Sequence, residues 1–454
     1  MLAAAPAAAG AETPALSTGL VVRFDAGTTA SQRATALRRA GLRAVSRSIG
    51  GGDRVATLRP GTKTAAALKA LQNDRRVASA SRELAAQAAD YVPNDTGRAA
   101  TVGTPGGWAQ ESWNLTGTFG IRAPTAWELA RKASVPGGRG VTVAVLDTGV
   151  AYADRGRYKR SPDLPKQRMV PGYDFVSKDR YPNDRNGHGT WVATTIAGSA
   201  NNLYGMPGIA YNANIMPVRV LNANGEGSSS RIAQGIRYAV DHEAQVINVS
   251  IELYDPVGDR AESITAAPEI RRALRYASSH RVIVVAAAGN AADPDVPSKR
   301  LESSVIYVGG TTEYGCLGSY SNHGPGLDLV APGGGSDFEI AGDANCAPGR
   351  AGHNVAQVTF RRSSPGRFFV PHTYKGTSMA APHVTGVVAL MLATRVVGAR
   401  PTTAAVEKRL DATAHDLGTP GRDRWYGAGL LDAAAALGAG PPPAPAPAAP
   451  PPAP

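Results

Sequence analysis

The chain has 454 residues, a formal net charge of +12 and 43% hydrophobic residues, enough apolar material for a sizeable core. The positive charge predicts attraction to acidic surfaces, but no nucleic-acid-binding motif accompanies it, so specific recognition of nucleic acid is not expected. No apolar run reaches the length of a membrane span, so a transmembrane segment is not expected either.

The chain begins with two segments of different character. Residues 1–16 contain small residues like those of a signal-peptide cleavage region but lack a basic start and a full apolar core. We interpret them as a signal-peptide remnant or a disordered lead. Residues 17–90 follow the order strand, helix, strand, strand, helix, strand, which predicts a ferredoxin-like α+β domain. That fold hosts many functions, so by itself it predicts none.

Four polar residues mark the ends of apolar segments in residues 91–438. Asp147 ends the run VTVAVLD and Asn290 ends VIVVAAAGN, and both runs have the pattern of buried parallel strands. His188 lies between glycines just before a helix-like apolar run, and Ser378 opens an apolar helix in GTSMAAPH. Because open α/β sheets bind ligands at the carboxyl ends of their strands, these positions predict one functional site.

The acid, the histidine and the serine occur in the order of the subtilisin-like serine proteases, or subtilases, and the chain resembles that family over roughly residues 107–438. The matching blocks are DTGV, HGT, AAAGN and GTSMAAPH, with SNHGPGLDLVAPG before the last. The order differs from those of chymotrypsin-like and α/β-hydrolase enzymes. The resemblance implies a three-layer α/β/α fold with a mainly parallel sheet.

The resemblance also implies the catalytic roles. A serine hydroxyl needs a base, so Ser378 is the expected nucleophile, His188 its base and Asp147 the carboxylate that orients the imidazole. Asn290 and the backbone N–H of Ser378 are the expected donors to the oxyanion. The asparagine also argues against the related sedolisins, which have an acid there. Two alternatives stay open: a processing protease that cuts one partner, and a catalytically silent scaffold that binds peptides.

Substrate binding in subtilases resembles strand addition, in which a peptide pairs with exposed backbone and pockets select its side chains. By resemblance, three segments of this chain would contact the substrate: Gly225, Glu226 and Gly227; Ser250, Ile251 and Glu252; and Ala287, Ala288 and Gly289. Glu252 replaces the glycine that most members have. Three interpretations of Glu252 stay open. Its charge could favour a basic substrate residue, its side chain could narrow the pocket, or it could be a solvated glutamate at a distorted strand end. Trp191, after HGT, also departs from the family and is interpreted as a packing residue.

Two stabilising features are expected as well. Subtilases often bind calcium, for which oxygen ligands are required. The matching positions are the side chains of Asp163 and Asn202 and the carbonyls of Ala200, Tyr204 and Met206; the alternative is a polar hairpin without an ion. No cofactor is expected for catalysis. Cys316 and Cys346 are the only cysteines in the chain, and in an exported protein they predict a disulfide. The alternative is two unpaired thiols.

The order of the domains suggests how the protein is made. A ferredoxin-like domain directly before a subtilase domain resembles the family's propeptide, which assists folding and blocks the cleft until it is cut off, here between about Leu84 and Tyr91. Residues 439–454 are rich in proline and alanine and predict an extended stalk, which suggests association with a cell wall. We therefore expect a secreted, monomeric endopeptidase whose partners are polypeptide substrates and its own propeptide.

Overall fold

The structure is a computed structural model that describes residues 19–82, 91–98, 106–253, 264–294, 296, 304–371 and 373–440. The expected signal-peptide remnant, the expected propeptide cut and nearly all of the proline-rich tail lie outside these residues. The chain divides into two compact units, residues 1–89 and residues 90–454, and each is described by itself.

The first unit is a four-stranded antiparallel sheet with two helices, in the order of elements that the sequence predicts. The strands have the sheet order β2-β3-β1-β4. The elements are β1 Gly19–Phe24, α1 Ala30–Arg39, β2 Leu42–Gly50, β3 Asp53–Leu58, α2 Thr64–Gln72 and β4 Val77–Arg82.

Local chemistry explains where this unit's first helix starts and which side of it is buried. Thr29 accepts a hydrogen bond from the backbone of Gln32, whose side chain accepts one from the backbone of Thr29, so two free N–H groups at the start of α1 are satisfied. Leu37 of α1 packs with Leu20 of β1 and Leu71 of α2 in a core that belongs to this unit alone.

The second unit is built around a seven-stranded parallel sheet with the order β11-β10-β9-β8-β5-β7-β6. Its central strands are buried at every residue except Thr142, the first residue of β5, as expected for a parallel sheet covered on both faces. The strands are β5 Thr142–Asp147, β6 Tyr173–Asp174, β7 Asn214–Arg219, β8 Val246–Val249, β9 Ile283–Ala287, β10 Val305–Thr311 and β11 Leu329–Pro332; β12 Thr359–Arg361 and β13 Ser364–Phe369 form a separate hairpin.

Helices cover both faces of the seven-stranded sheet, which makes the three layers of the predicted α/β/α fold. One core cluster contains buried residues of α4, α5, α8 and α10, and a second contains those of α6 and α7. The helices are α3 Trp113–Thr116, α4 Ala123–Lys132, α5 His188–Ala197, α6 Ser229–Asp241, α7 Pro268–Ser279, α8 Thr377–Thr394, α9 Thr403–Thr413 and α10 Ala433–Ala436.

Helix α8 is the central helix of its layer. Its residues from Met379 to Met391 are buried on all sides, which explains why the sequence shows no polar face. Among the described residues it is the one helix long and apolar enough to cross a membrane by length and composition, and 78% of that window is buried inside the protein.

Candidate active site

Asp147 and His188 form a hydrogen-bonded pair at the carboxyl edge of the sheet. Asp147 is the last residue of β5 and is fully buried, and His188 is the first residue of α5. The imidazole Nδ1 lies 2.8 Å and 2.9 Å from the two carboxylate oxygens. Nδ1–H therefore donates to Asp147, which leaves Nε2 as the nitrogen that can accept a proton.

The carboxylate also changes the acidity of the imidazole. Burial disfavours the imidazolium, but the charge of Asp147 and its hydrogen bond outweigh burial, so the pKa of His188 is raised above 6.5. A raised pKa means that the imidazole holds a proton more firmly once it has taken one.

Asp184, which the sequence analysis did not identify, organises the turn that delivers His188. Its Oδ1 accepts the Thr148 hydroxyl at 2.9 Å, and its Oδ2 accepts the Thr190 hydroxyl at 2.6 Å. The same carboxylate thus holds the residue after Asp147 and the helix that begins at His188. An acid shortly before the glycines of NGHGT is the available sequence signal, but it resembles any turn-forming aspartate.

Gly189 lets the two elements approach. A Cβ atom at this position would lie 2.1 Å from the carbonyl oxygen of Gly149 and 3.0 Å from the side chain of Asp147. Only glycine permits such a contact, so the start of α5 can lie directly against the end of β5.

Ser378 lies at the start of α8, as the second residue of the helix. Its N–H is one of the four that have no partner within a helix, and the positive end of the helix dipole is here. Its hydroxyl donates to the carbonyl of Ser250 at 3.3 Å in this structure, not to His188. The hydroxyl must therefore reorient before it can transfer its proton to the imidazole of His188.

Pro382 explains a second contact between Ser250 and Ser378. Proline has no N–H, so the carbonyl of Ser378, four residues earlier in the helix, lacks its helical donor. The hydroxyl of Ser250 donates to this carbonyl instead, at 3.1 Å. The segment after β8 is thereby attached to the nucleophile's own residue.

Sheet register connects the two halves of the site. Strands β5 and β8 are parallel neighbours, with Leu146 opposite Val249. The next residues along the two strands are Asp147 and Ser250, so the Asp147–His188 pair and the Ser250–Ser378 contacts lie at the same edge of the sheet.

Asn290 is held by the residue that precedes the serine. Its Oδ1 accepts the backbone N–H of Thr377 at 2.7 Å and the Thr377 hydroxyl at 3.1 Å. The amide nitrogen therefore faces away from Thr377, and no described residue accepts a hydrogen bond from it. Thr377, which the sequence analysis did not single out, also accepts the N–H of Gly289 at 3.1 Å.

Asn322 shapes the turn that carries Asn290. Its Oδ1 accepts the backbone N–H groups of Ala291 and Asp293, and its Nδ2 donates to the carbonyl of Ala288. The sequence block SNHGP resembles the family but does not by itself indicate a role for the amide of Asn322. Its contact with residues 288–293 explains why an amide occurs there.

The three predicted substrate segments occupy different places around the site. Gly225, Glu226 and Gly227 form an exposed loop, in which Asn222 accepts the N–H of Glu226. Asn186, two residues before His188, donates to Ala223 and so joins this loop to the histidine turn. In the other two segments Ser250, Ile251, Ala287 and Ala288 are buried, Gly289 adjoins Asn290, and Glu252 is half-buried.

Trp191 has the packing role expected for it. Its side chain is fully buried and stacks on Tyr374, with the ring centroids 5.7 Å apart. The stack joins α5 to the segment that leads into α8.

The predicted calcium residues surround unsatisfied oxygen atoms. Asp163 is fully buried, and its Oδ1 accepts from Asn202 at 2.8 Å while its Oδ2 has no hydrogen-bond partner in the described chain. The carbonyls of Ala200, Tyr204 and Met206 likewise accept no hydrogen bond from a described residue, whereas the intervening carbonyls of Leu203 and Gly205 accept from Thr96 and Gly97. These oxygens are of the kind that calcium prefers, but Asn202 donates its amide nitrogen to Asp163 and accepts the N–H of Tyr204 on its Oδ1, so this side chain would have to turn to bind an ion.

Asp95 is a further carboxylate at this loop, and the sequence analysis missed it. Its Oδ2 accepts the N–H of Asn201 at 2.8 Å, and its Oδ1 is buried without a partner among the described residues. Burial raises the pKa of Asp95 to about 6 and that of Asp163 well above its usual range. The charge of Arg168 acts on Asp163 but does not outweigh burial, and neither carboxylate forms an ion pair with a described residue, which favours a bound cation.

Cys316 and Cys346 form a disulfide. The bond links the two ends of a segment that contains Asn322. Asn322 is the residue whose side chain is hydrogen-bonded on both sides of Asn290.

Comparison with known proteins shows which family the chain belongs to. The model of the subtilase family matches residues 138–429. A thermophilic serine proteinase of Bacillus sp. (strain AK1) is 33% identical over 374 residues, which cover 82% of this chain and 77% of that protein. Subtilisin Savinase of Lederbergia lenta is 35% identical over 301 residues, covering 66% of this chain and 91% of the relative.

A solved structure, of proteases from Pseudoalteromonas arctica PAMC 21717, superposes with a TM-score of 0.58 at 29% identity and covers 76% of this chain and 99% of that one. The family model, the sequence relatives and the structural neighbour all place the chain among subtilisin-like proteinases. The chain belongs to the subtilase family and is a subtilisin-like serine proteinase.

Proposed function

We propose that the protein is a secreted endopeptidase, made as a self-processing zymogen, that hydrolyses peptide bonds through an acyl-enzyme on Ser378. The observation that carries this proposal is the shared sheet edge, where the buried Asp147–His188 pair and the start of α8 are linked through Ser250.

The first chemical step needs one rotation. The hydroxyl of Ser378 turns from the carbonyl of Ser250 toward His188, whose Nε2 is the accepting nitrogen because Nδ1 is bound to Asp147. The imidazole takes the proton as the oxygen attacks the peptide carbonyl, and later gives it to the leaving amine. Asp147 stabilises the imidazolium that forms between these events.

The oxyanion of the tetrahedral intermediate is stabilised by two donors. Thr377 fixes the side-chain oxygen of Asn290, so the amide N–H₂ is already oriented when the substrate arrives. The backbone N–H of Ser378 is the second donor, at the positive end of α8. Donors that are fixed in advance need no reorganisation as the charge develops.

Polypeptide substrates would lie between two edges. One edge is the exposed loop of residues 225–227, and the other is the segment of residues 250–252 that contacts Ser378. Both offer backbone groups to an extended peptide, which supports binding by strand addition.

Calcium would support the site structurally and take no part in the reaction. The side chains of Asp95, Asp163 and Asn202 and the carbonyls of Ala200, Tyr204 and Met206 would hold it. Bound calcium supplies the positive charge that the two buried carboxylates lack.

The N-terminal unit is proposed as the propeptide. It has a core of its own, precedes the peptidase in the chain and carries the β-α-β-β-α-β order.

Secretion is supported by the Cys316–Cys346 disulfide, because such bonds persist in oxidising compartments. Attachment to a cell wall through the proline-rich tail belongs to the same proposal.

A serine-directed fluorophosphonate tests the proposal. The processed protein is expected to form a covalent adduct on Ser378, and Ser378→Ala is the matched control that forms none. A wild-type protein that folds, is processed and yet stays unlabelled would instead be the peptide-binding scaffold. Mass spectrometry of the products from a denatured proteome then separates a general endopeptidase, with many cut sites, from a processing protease with one.

A further inference from the structure

Glu252 lies where two segments leave the sheet side by side. Strands β8 and β9 are parallel neighbours with Val249 opposite Ala286. Residues 250–252 continue from β8 and residues 287–290 from β9, and they form the two walls between which the substrate residue before the cut is proposed to enter. The inference below therefore rests on the proposed endopeptidase function.

The side chain of Glu252 crosses from one wall to the other. Its Oε1 accepts a hydrogen bond from the backbone N–H of Asn290. The same oxygen is beside Gly289, since a Cβ atom there would lie 3.2 Å from it. The neighbouring Ile251 is buried in the core behind the wall, so Glu252 is the residue of this segment that spans the gap.

We propose that Glu252 closes the pocket for the substrate residue before the scissile bond, so that the enzyme cuts after small residues such as alanine. A long side chain between the walls would have to displace the carboxylate from the Asn290 N–H. That displacement breaks a charge-assisted hydrogen bond and disturbs the residue that donates to the oxyanion. A small side chain leaves the bond intact.

The chain's own sequence favours size over charge as the basis of selection. Residues 84–91, where the propeptide cut is proposed, read LAAQAADY and contain four alanines and no lysine or arginine. An enzyme that cuts itself there must accept a residue other than a basic one. A pocket shortened by a bridging glutamate suits these alanines, whereas a carboxylate that recruits lysine or arginine does not.

Three proteins test the inference: the wild type, Glu252→Gly and Glu252→Gln. Each is given a peptide series that differs only in alanine, leucine, phenylalanine or lysine before the cut, and kcat/KM is measured for each peptide. We expect the wild type to prefer alanine over phenylalanine by about 10-fold or more, the range expected for loss of one hydrogen bond to a charged group.

The two variants separate size from charge. In Glu252→Gly the preference for alanine over phenylalanine should fall by about 10-fold, because the pocket reopens. Glu252→Gln should keep the preference, since its amide oxygen has the same reach and can accept the same N–H. Glu243→Gly, a change of the same kind at an exposed residue with φ of 64° just before β8, is the control and should keep the wild-type profile.

Two outcomes would overturn the inference while leaving the proposed function intact. One is an unchanged profile in Glu252→Gly. The other is a wild-type preference for lysine that Glu252→Gln abolishes, because the carboxylate would then select by charge. A wild type that neither reacts with the fluorophosphonate nor cuts any peptide would overturn the proposed function and this inference together.

Discussion

His188 owes its chemistry to residues on two different elements. Asp147 comes from β5, and the turn that Asp184 organises delivers the imidazole from the other side. The pKa of His188 is raised because Gly189 allows the start of α5 to lie against the end of β5, which brings the imidazole to the carboxylate of Asp147.

The pH profile of the enzyme should report that pKa. A base acts when neutral, so activity is present above the pKa of His188 and is lost as the pH falls through it. Because the carboxylate raises this pKa, the acid limb of kcat/KM should have its midpoint above 6.5. In Asp147→Asn the limb should move to lower pH and kcat should fall by about 10⁴-fold, the loss seen in other serine-protease triads.

The measurement is kcat/KM against pH for both proteins with an alanine peptide. Asp241→Asn, on the exposed end of α6, is a control that should keep the wild-type limb. If Asp147→Asn lowered the rate but left the limb in place, the carboxylate would not be what sets the imidazole's pKa.

Residues that belong to short motifs were predictable from the sequence, and residues defined by distant contacts were not. Asp147, His188, Asn290 and Ser378 each end or begin an apolar run, so a local pattern marks them. Asp95 has no such mark, because its partners lie in the loop of residues 201–206, far along the chain.

At the scale of elements, the start of α8 gathers contacts from two strand ends. Ser250, after β8, is attached to Ser378, and Asn290, after β9, is attached to Thr377. The order of strands and helices was predictable because apolar runs and turn residues are local. The hydrogen bonds between these elements were not predictable. Pro382 leaves the carbonyl of Ser378 without a helical donor, but the sequence does not show that Ser250 lies close enough to donate to it.

The loop proposed to bind calcium is also an assembly of two segments. Residues 94–97 are hydrogen-bonded to residues 201–205, which brings Asp95 to the predicted ligands. Removal of the ion should leave two buried carboxylates without compensation, which is strongly destabilising. We expect chelation with EDTA to lower the Tm of the processed wild type, and restored calcium to recover it.

Asp95→Asn tests the proposed role of Asp95 as a calcium ligand. The variant should need a higher calcium concentration to reach the same Tm, because one charged ligand has become neutral. Asp241→Asn serves again as the control, as its carboxyl group lies on α6. The same Tm with and without EDTA in the wild type would show that the loop holds no ion.

For the whole molecule, charge is distributed unequally between the units. Residues 1–89 contain 13 Lys and Arg against five Asp and Glu, which accounts for +8 of the net +12. Loss of this unit would leave a net charge of +4 (12 − 8), so attraction to acidic surfaces would be stronger in the unprocessed protein.

Self-processing can be tested with the nucleophile removed. Ser378→Ala is expected to keep residues 1–89 covalently attached, whereas the wild type loses them, and intact mass measures the difference. Wild-type enzyme added to Ser378→Ala then shows whether the cut can also be made between molecules. Complete processing of purified Ser378→Ala by itself would mean that another protease makes the cut.

The hydrogen bonds between residues 94–97 and the loop of residues 201–205 bear on how the enzyme resists digestion by other copies of itself. A concentrated protease meets its own copies, and chain ends are where digestion usually begins. The cut proposed between about Leu84 and Tyr91 would place the new chain end within about ten residues of Asn94 and Gly97, whose N–H groups are hydrogen-bonded to the loop. A second copy needs an extended, unpaired segment to cut, so these contacts would limit self-digestion to the few residues before Asn94.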